Sequence, residues 1–161
     1  MLEEQRLNPK LHDRKAFRSG AAELDHYLHH LAAQHQRRGI STTYVLVDSD
    51  HPATILGYYS LSAAEVDRNR ITPEQRSRLP AYPIPCFRMG KLACHEERRG
   101  QGLGSFLVGL SVARCLAARE SIAAYALIVD ARDDTARAFY EHYGFQPLID
   151  TEMTLFLPLG K

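Results

Sequence analysis

Cysteine is scarce in this chain of 161 residues: Cys86, Cys94 and Cys115 make an odd count with no C-x-x-C spacing. That excludes a disulfide framework and a cysteine zinc site, and a reducing cytoplasm is the expected compartment. Long apolar runs are missing too. No stretch approaches ~20 uninterrupted apolar residues, so no membrane span is expected. The start, Met1-Leu2-Glu3-Glu4, carries two acids where a secretory leader needs a basic start and an apolar run. Nor is there a large excess of one charge. The net charge is +1 and the pI is near 7.8, below the value of about 9 typical of a domain coated for nucleic acid. Internal repeats, low-complexity tracts and interdomain linkers are absent. What remains is 45% hydrophobic and 24% charged. That balance belongs to a globular domain rather than a disordered tail, and the length suits a single domain spanning 1–161.

The small net charge is unevenly distributed. Residues 1–104 hold 15 Lys+Arg against 12 Asp+Glu, a balance of +3, and residues 105–161 hold 5 against 7, a balance of -2. Basic residues cluster as Arg37-Arg38, as Arg68, Arg70, Arg76 and Arg78, and as Arg98-Arg99. Clustered guanidinium forks can hold phosphate; a solvated surface is the simpler reading of any one cluster.

Periodicity predicts a helix over 19–38, with Leu24, Leu28, Leu31 and His35 on one face beside Tyr27 and Ala32, a start at Ser19-Gly20 and a stop at Gly39. Thr42 to Val47 is β-rich, turns through Asp48-Ser49-Asp50-His51-Pro52 and returns over 54–63 as a hairpin. The polar stretch 66–83, broken by Pro73, Pro80 and Pro83, is expected to cross the surface with one helical turn after Thr72. A strand over 87–94, a long apolar helix over about 103–119 and a compact strand over 124–129 come next. Asp133-Asp134 caps a helix ending at Gly144, and 154–157 closes the chain as a strand. The order β, α, β, β, β, α, β, α, β makes this an α/β or α+β fold with a mixed sheet.

Most of the chemistry lies in residues 92–105. A strand feeds Gly100, Gly102 and Gly104, which open a helix whose first N–H groups lack intrahelical acceptors and whose dipole is positive there. Bare glycine backbone lets an anion approach closely, and Arg99 would add a charge-assisted bond; the geometry calls for a pyrophosphate. The spacing is neither the dinucleotide Gly-x-Gly-x-x-Gly nor a Walker loop. Arg99-x-x-Gly102-x-Gly104 fits the [Arg/Gln]-x-x-Gly-x-[Gly/Ala] pattern of acetyl-CoA sites. Alone, such a match arises by chance in about one chain of this length in ten, so a glycine-rich helix start that binds nothing stays open at this point.

Thirty residues on stands Ala136-Arg137-Ala138-Phe139-Tyr140-Glu141-His142-Tyr143-Gly144-Phe145. The two motifs, in order and each after an expected strand, resemble the GCN5-related N-acetyltransferase (GNAT) superfamily. The resemblance implies a mixed, mostly antiparallel sheet flanked by helices and splayed at the acetyl-CoA site. Backbone of Leu92, Ala93 and Cys94 would pair with pantetheine, and the turn with Arg99, Gly100, Gln101, Gly102, Gly104 and Ser105 would hold the pyrophosphate. Transfer would be direct, with Tyr140 as proton donor to the departing thiolate; a phenol of ordinary pKa near 10 is protonated at neutral pH. At helical spacing beside Phe139 and Tyr143, a core aromatic is the alternative for Tyr140. No metal is implied. His26, His29 and His30 could share an ion by spacing alone but lack a carboxylate or cysteine pattern, and Cys94 reads as a small buried hydrophobe.

The N-terminal half is similar to the TacT-type GNAT toxins of bacterial toxin–antitoxin modules. Phe17-x-x-Gly20-x-x-x-Leu24-Asp25-x-Tyr27-Leu28, Gly39-x-Ser41-x-Thr43-Tyr44-Val45, Gly57-Tyr58-Tyr59-Ser60-Leu61, Pro83-Ile84-Pro85 and Lys91-Leu92-Ala93 carry the likeness. It implies acetylation of the α-amine of aminoacyl-tRNA, a block of translation, a homodimer and a ribbon-helix-helix antitoxin. Arg37, Arg38 and Lys91 are candidate tRNA contacts; dipole-complementing, solvated cations explain the arginines nearly as well. The motifs single out no general base. That suits an esterified amino acid, whose α-amine titrates near or below 7.7–8.0, better than a lysine near 10.4. Acetylation of a small amine (an antibiotic, polyamine or amino acid) and a silent acetyl-CoA-binding module are the alternatives.

Overall fold

The computed structural model describes residues 1–160. Seven strands form one sheet in the order β1-β2-β3-β4-β5-β7-β6. The strands are β1 Leu2–Arg6, β2 Thr42–Asp48, β3 Gly57–Val66, β4 Ile84–Cys94, β5 Ala126–Asp130, β6 Gln146–Leu148 and β7 Thr151–Pro158. The helices are α1 Ala22–His26, α2 Ala32–Arg37, α3 Pro73–Arg76, α4 Leu103–Ala118 and α5 Asp134–His142. β1 with β2, β2 with β3, β5 with β7 and β6 with β7 pair antiparallel, and β4 with β5 pairs parallel. The sheet is therefore mixed, as the element order implies. No helix among the described residues is long and apolar enough to cross a membrane.

The chain divides into two compact units. The first is Met1–Ser62 with Gly90–Ser111, and the second is Ala63–Met89 with the chain from Val112 onward. In the first, Val45 and Val47 alternate onto one face of β2 and meet Tyr27, Leu28, Ala32 and Ala33 with Phe17, Ile55, Tyr58 and Ala93. The expected helix over 19–38 is present but interrupted: between α1 and α2 the residues Tyr27–Leu31 form a π turn, with the Ala32 N–H donating to the Tyr27 carbonyl. Gly39, at φ 73°, ends α2. The Ile40 N–H reaches the His35 carbonyl at 2.9 Å and the Gly39 N–H the Gln36 carbonyl at 3.2 Å, the paired bonds of a Schellman stop.

In the second unit β5 is buried from Ala126 to Val129 between β4 and β7, the continuous apolar run of a central strand. Ile84, Cys86, Ala126, Ile128, Leu148 and Phe156 form the core with Val66 and Ile71. The stretch 66–83 is thus more than a surface connection. Its helical turn starts at Pro73 as expected, but Ile71 is wholly buried. Three arginines of this stretch are bonded within it or to the loop before β7: Arg70 pairs with Asp150 at 3.0 Å, Arg76 Nη2 donates to the Asn69 and Ile71 carbonyls, and Arg68 Nε donates to the Arg76 carbonyl.

Candidate active site

In the first unit, β4 delivers its last residues to the glycine turn. The register of β4 on β5 runs from Cys86↔Ala126 to Met89↔Val129, and β4 continues through Gly90–Cys94 beyond it. Leu92 and Cys94 are half-buried and Ala93 is buried. Gly57 lets β3 start against this end: a Cβ there would stand 2.8 Å from Leu107 Cδ1 and 3.1 Å from the Ala93 carbonyl oxygen. The His95 N–H donates to the Leu56 carbonyl at 2.8 Å, and its Nδ1 accepts from the Glu97 N–H, opening the tight turn Glu96–Arg98. Gly100 and Gly102 then take φ of 78° and 74°, and nothing lies within 4 Å of where a Cβ would stand on either.

This turn feeds α4, 16 residues long, whose first intrahelical bond over the turn runs from Phe106 N–H to the Gly102 carbonyl at 3.1 Å. Gly104 and Ser105 lie in the first turn. Two positive-φ glycines with open space beside them at the N-terminus of a long helix are the kind of backbone that can receive an anion. Burial pushes the Cys94 thiol up to about 11, so its thiolate is rare at neutral pH, in keeping with a small buried hydrophobe.

The side chains near the turn make bonds of their own. Arg99 donates from Nη2 to the Ser19 carbonyl at 2.7 Å. Gln101 accepts weakly from Arg98 at 3.4 Å. Lys91 Nζ sits 5.3 Å over the Tyr27 ring, whose hydroxyl meets Ser41 Oγ at 2.7 Å and His35 Nδ1 at 3.2 Å. Arg37 and Arg38 are exposed at the end of α2. His29 Nε2 bonds the Phe17 carbonyl, and among the described residues no His, Cys, Asp or Glu group is arranged to hold a metal. The sequence marks Ser19-Gly20 as a helix start and Gly20 and Asp25 as part of a family motif, but carries no sign that Ser19 and Gly20 lie against Arg99.

Tyr140 stands in the second unit, on α5. Asp133 caps this helix, its Oδ1 accepting from the Ala136 N–H at 2.8 Å. At the other end the Gly144 N–H donates to the Glu141 carbonyl at 3.0 Å and the Phe145 N–H to the Tyr140 carbonyl at 3.2 Å, with Gly144 at φ 93°. This is a second Schellman stop, and its usual hydrophobic contact is made by Tyr140 and Phe145, with ring centroids 5.5 Å apart. Phe139 packs against Tyr140 at 5.4 Å and against Tyr143 at 5.1 Å. Tyr140 is 7% exposed. The Phe-Tyr-x-x-x-Gly-Phe string is therefore a helix stop that fixes one phenol ring.

Comparison with known proteins agrees with this geometry. A family model described as an acetyltransferase (GNAT) domain matches residues 41–147. A tRNA-acetylating toxin of Mycobacterium tuberculosis is 33% identical over 134 residues, 83% of this chain and 78% of that protein. Among solved structures, AtaT complexed with acetyl-methionyl-tRNAfMet superposes with a TM-score of 0.91 at 27% identity, covering 98% of this chain and 95% of that one. A tyrosine-to-phenylalanine variant of AtaT bound to the C-terminus of the antitoxin AtaR and acetyl-CoA superposes with a TM-score of 0.84 at 26% identity, covering 98% and 93%. With a capped tyrosine helix, an open glycine turn and a family match spanning both, the chain belongs to the GNAT acetyltransferase family.

Proposed function

We propose that this N-acetyltransferase is a toxin that moves the acetyl group of acetyl-CoA onto the α-amine of aminoacyl-tRNA and so blocks translation. The observation that carries the reading is the open glycine turn at the start of α4, together with relatives that act on tRNA and bind acetyl-CoA. Acetyl-CoA supplies the activated acyl group. The N–H groups of Gly100, Gln101, Gly102, Gly104 and Ser105 hold its pyrophosphate, and the backbone of Leu92, Ala93 and Cys94 takes its pantetheine as a neighbouring strand would. The α-amine nitrogen forms the new bond to the acyl carbon, the carbon–sulfur bond breaks, and Tyr140 gives its hydroxyl proton to the sulfur. Solvent takes the proton lost by the amine, which titrates low enough to need no strong base, and returns one to the Tyr140 oxygen.

The two units act as one domain over 1–161: β3, β4 and α4 each run from one unit into the other, and the family match spans both. The protein works in the cytoplasm, where charged tRNA is found, as a homodimer restrained by a ribbon-helix-helix antitoxin. The antitoxin-bound relative supports a protein partner. So does α4, which exposes Phe106 and Leu116 with Gly109, Ala113 and Ala117. Arg37 and Arg38 offer exposed charge for tRNA phosphates, with Lys91 nearby in sequence to β4's end. The test is transfer of labelled acetyl from acetyl-CoA to charged tRNA, deacylated tRNA and a polyamine. Label on charged tRNA alone supports the reading; label on the polyamine alone makes the protein a small-amine acetyltransferase.

A further inference from the structure

The glycine turn is anchored by a side chain. Arg99, the residue just before Gly100, donates from Nη2 to the Ser19 carbonyl at 2.7 Å. Gly20 makes room for it: with φ at +91°, a Cβ there would stand 2.1 Å from Nη2 and 3.7 Å from Glu96 Oε2. The guanidinium therefore lies on bare backbone. Ser19 is itself held, its N–H and Oγ both donating to Asp25 Oδ1, at 2.9 and 2.6 Å. One residue earlier the Glu96 N–H donates to the Arg18 carbonyl at 2.7 Å. Phe17, almost wholly buried, sets its ring against His95 and Tyr58, each at 5.6 Å. Both ends of the segment 95–99 are thus tied to residues 17–20.

We propose that Arg99 is a positioning residue, which sets the glycine turn at the start of α4 by docking on the Ser19-Gly20 corner instead of gripping the pyrophosphate with its own fork. The inference deepens the acetyl-CoA reading and rests on it. A main-chain carbonyl asks its partner for a donor, not for a charge. That accounts for the motif's acceptance of arginine or glutamine at this position, since the two side chains share a terminal –NH2 and differ in charge. It also adds to the reason that φ of +91° gives Gly20 to be glycine, because a Cβ there would force Nη2 to move.

The pair is testable by a double-mutant cycle of Arg99→Ala and Gly20→Ala. Calorimetry measures acetyl-CoA affinity, steady-state kinetics separate KM from kcat, and amide exchange is followed at 100–105 in the ligand-free protein. Each single variant is expected to raise Kd and KM by roughly three- to tenfold, the scale of a solvent-exposed hydrogen bond from a charged donor. The value of kcat should stay unchanged and exchange should quicken. The double variant should be no weaker than Arg99→Ala. The salt dependence of Kd in Arg99→Ala should run parallel to the parent's, because no phosphate contact has been removed. Multiplicative losses, an unchanged Kd in Arg99→Ala or a flatter salt dependence would overturn the proposal. If Gly20→Ala does not fold, the salt dependence and exchange of Arg99→Ala decide alone. If the parent protein binds no acetyl-CoA, the functional reading fails, and amide exchange in the ligand-free variants still decides whether Arg99 holds the turn.

Discussion

Two buried side chains show how one residue's surroundings set its behaviour. His12 is 3% exposed, with Nδ1 accepting from the Asn8 N–H at 2.9 Å and Nε2 against Gln5 Oε1 at 2.9 Å. Because Nδ1 accepts, the proton sits on Nε2 and is donated to Gln5. Burial lowers the pKa of His12 below its ordinary 6.5. The unfolded chain then takes up a proton before the folded one, so the His12 contribution is present above about pH 6.5 and is lost as the pH falls below it. Unfolding in denaturant at pH 7.5 and 5.5 should show a drop in the parent and a smaller one in His12→Asn; equal drops would remove this account of His12. Tyr140 is held as firmly. Tyr140→Phe keeps the ring and the helix stop, so melting and acetyl-CoA affinity should stay at parental values while turnover falls about 10²–10⁴-fold, the usual worth of a positioned acid. Parental turnover would leave Tyr140 as core alone.

At the scale of elements, the helix stops carry both stability and site geometry. Gly144 has ordinary space for a Cβ, the nearest atom being Leu157 Cδ1 at 3.7 Å, so the cost of Gly144→Ala is its φ of 93°. That cost is about 1–2 kcal/mol, a fall of several degrees in Tm for a chain of this size. A melt unchanged within error would contradict the stop. These stops were readable in the sequence because glycine and its carbonyl partners lie within five residues, and the same holds for the Asp133 cap and Pro73. Other elements left no such local sign. The strand that opens the expected order has a plain counterpart in β1, but LEEQR carries no apolar alternation; pairing with β2 alone defines it. Pro147 hides β6. The π turn at Tyr27–Leu31 has the same apolar spacing as an α-helix would, and only packing against β2 and β3 selects it. The docking of Arg99 on Ser19 joins residues eighty apart, beyond any motif. Of the cluster Arg68, Arg70, Arg76 and Arg78, read more simply as a solvated surface than as a phosphate site, composition could not show that backbone carbonyls and Asp150 already take donors of the first three.

For the whole molecule, the charge left for RNA is smaller than the arginine count suggests. Arg68, Arg70 and Arg76 are bonded within the second unit, while in the first unit Arg37 and Arg38 stand exposed side by side. Acetylation of charged tRNA should weaken steeply as salt rises, because phosphate contacts release counterions. Replacing both arginines by glutamate should raise KM for charged tRNA and flatten that salt dependence, with acetyl-CoA affinity unchanged. A salt-independent reaction would place the acceptor among small amines. The account as a whole is tested most directly by where the acetyl group ends up. Charged tRNA incubated with acetyl-CoA and the protein, then digested to its terminal aminoacyl-adenosine, should yield that fragment heavier by one acetyl on the amino acid's α-nitrogen. An unmodified aminoacyl end, with acetyl found elsewhere or still on coenzyme A, would contradict it.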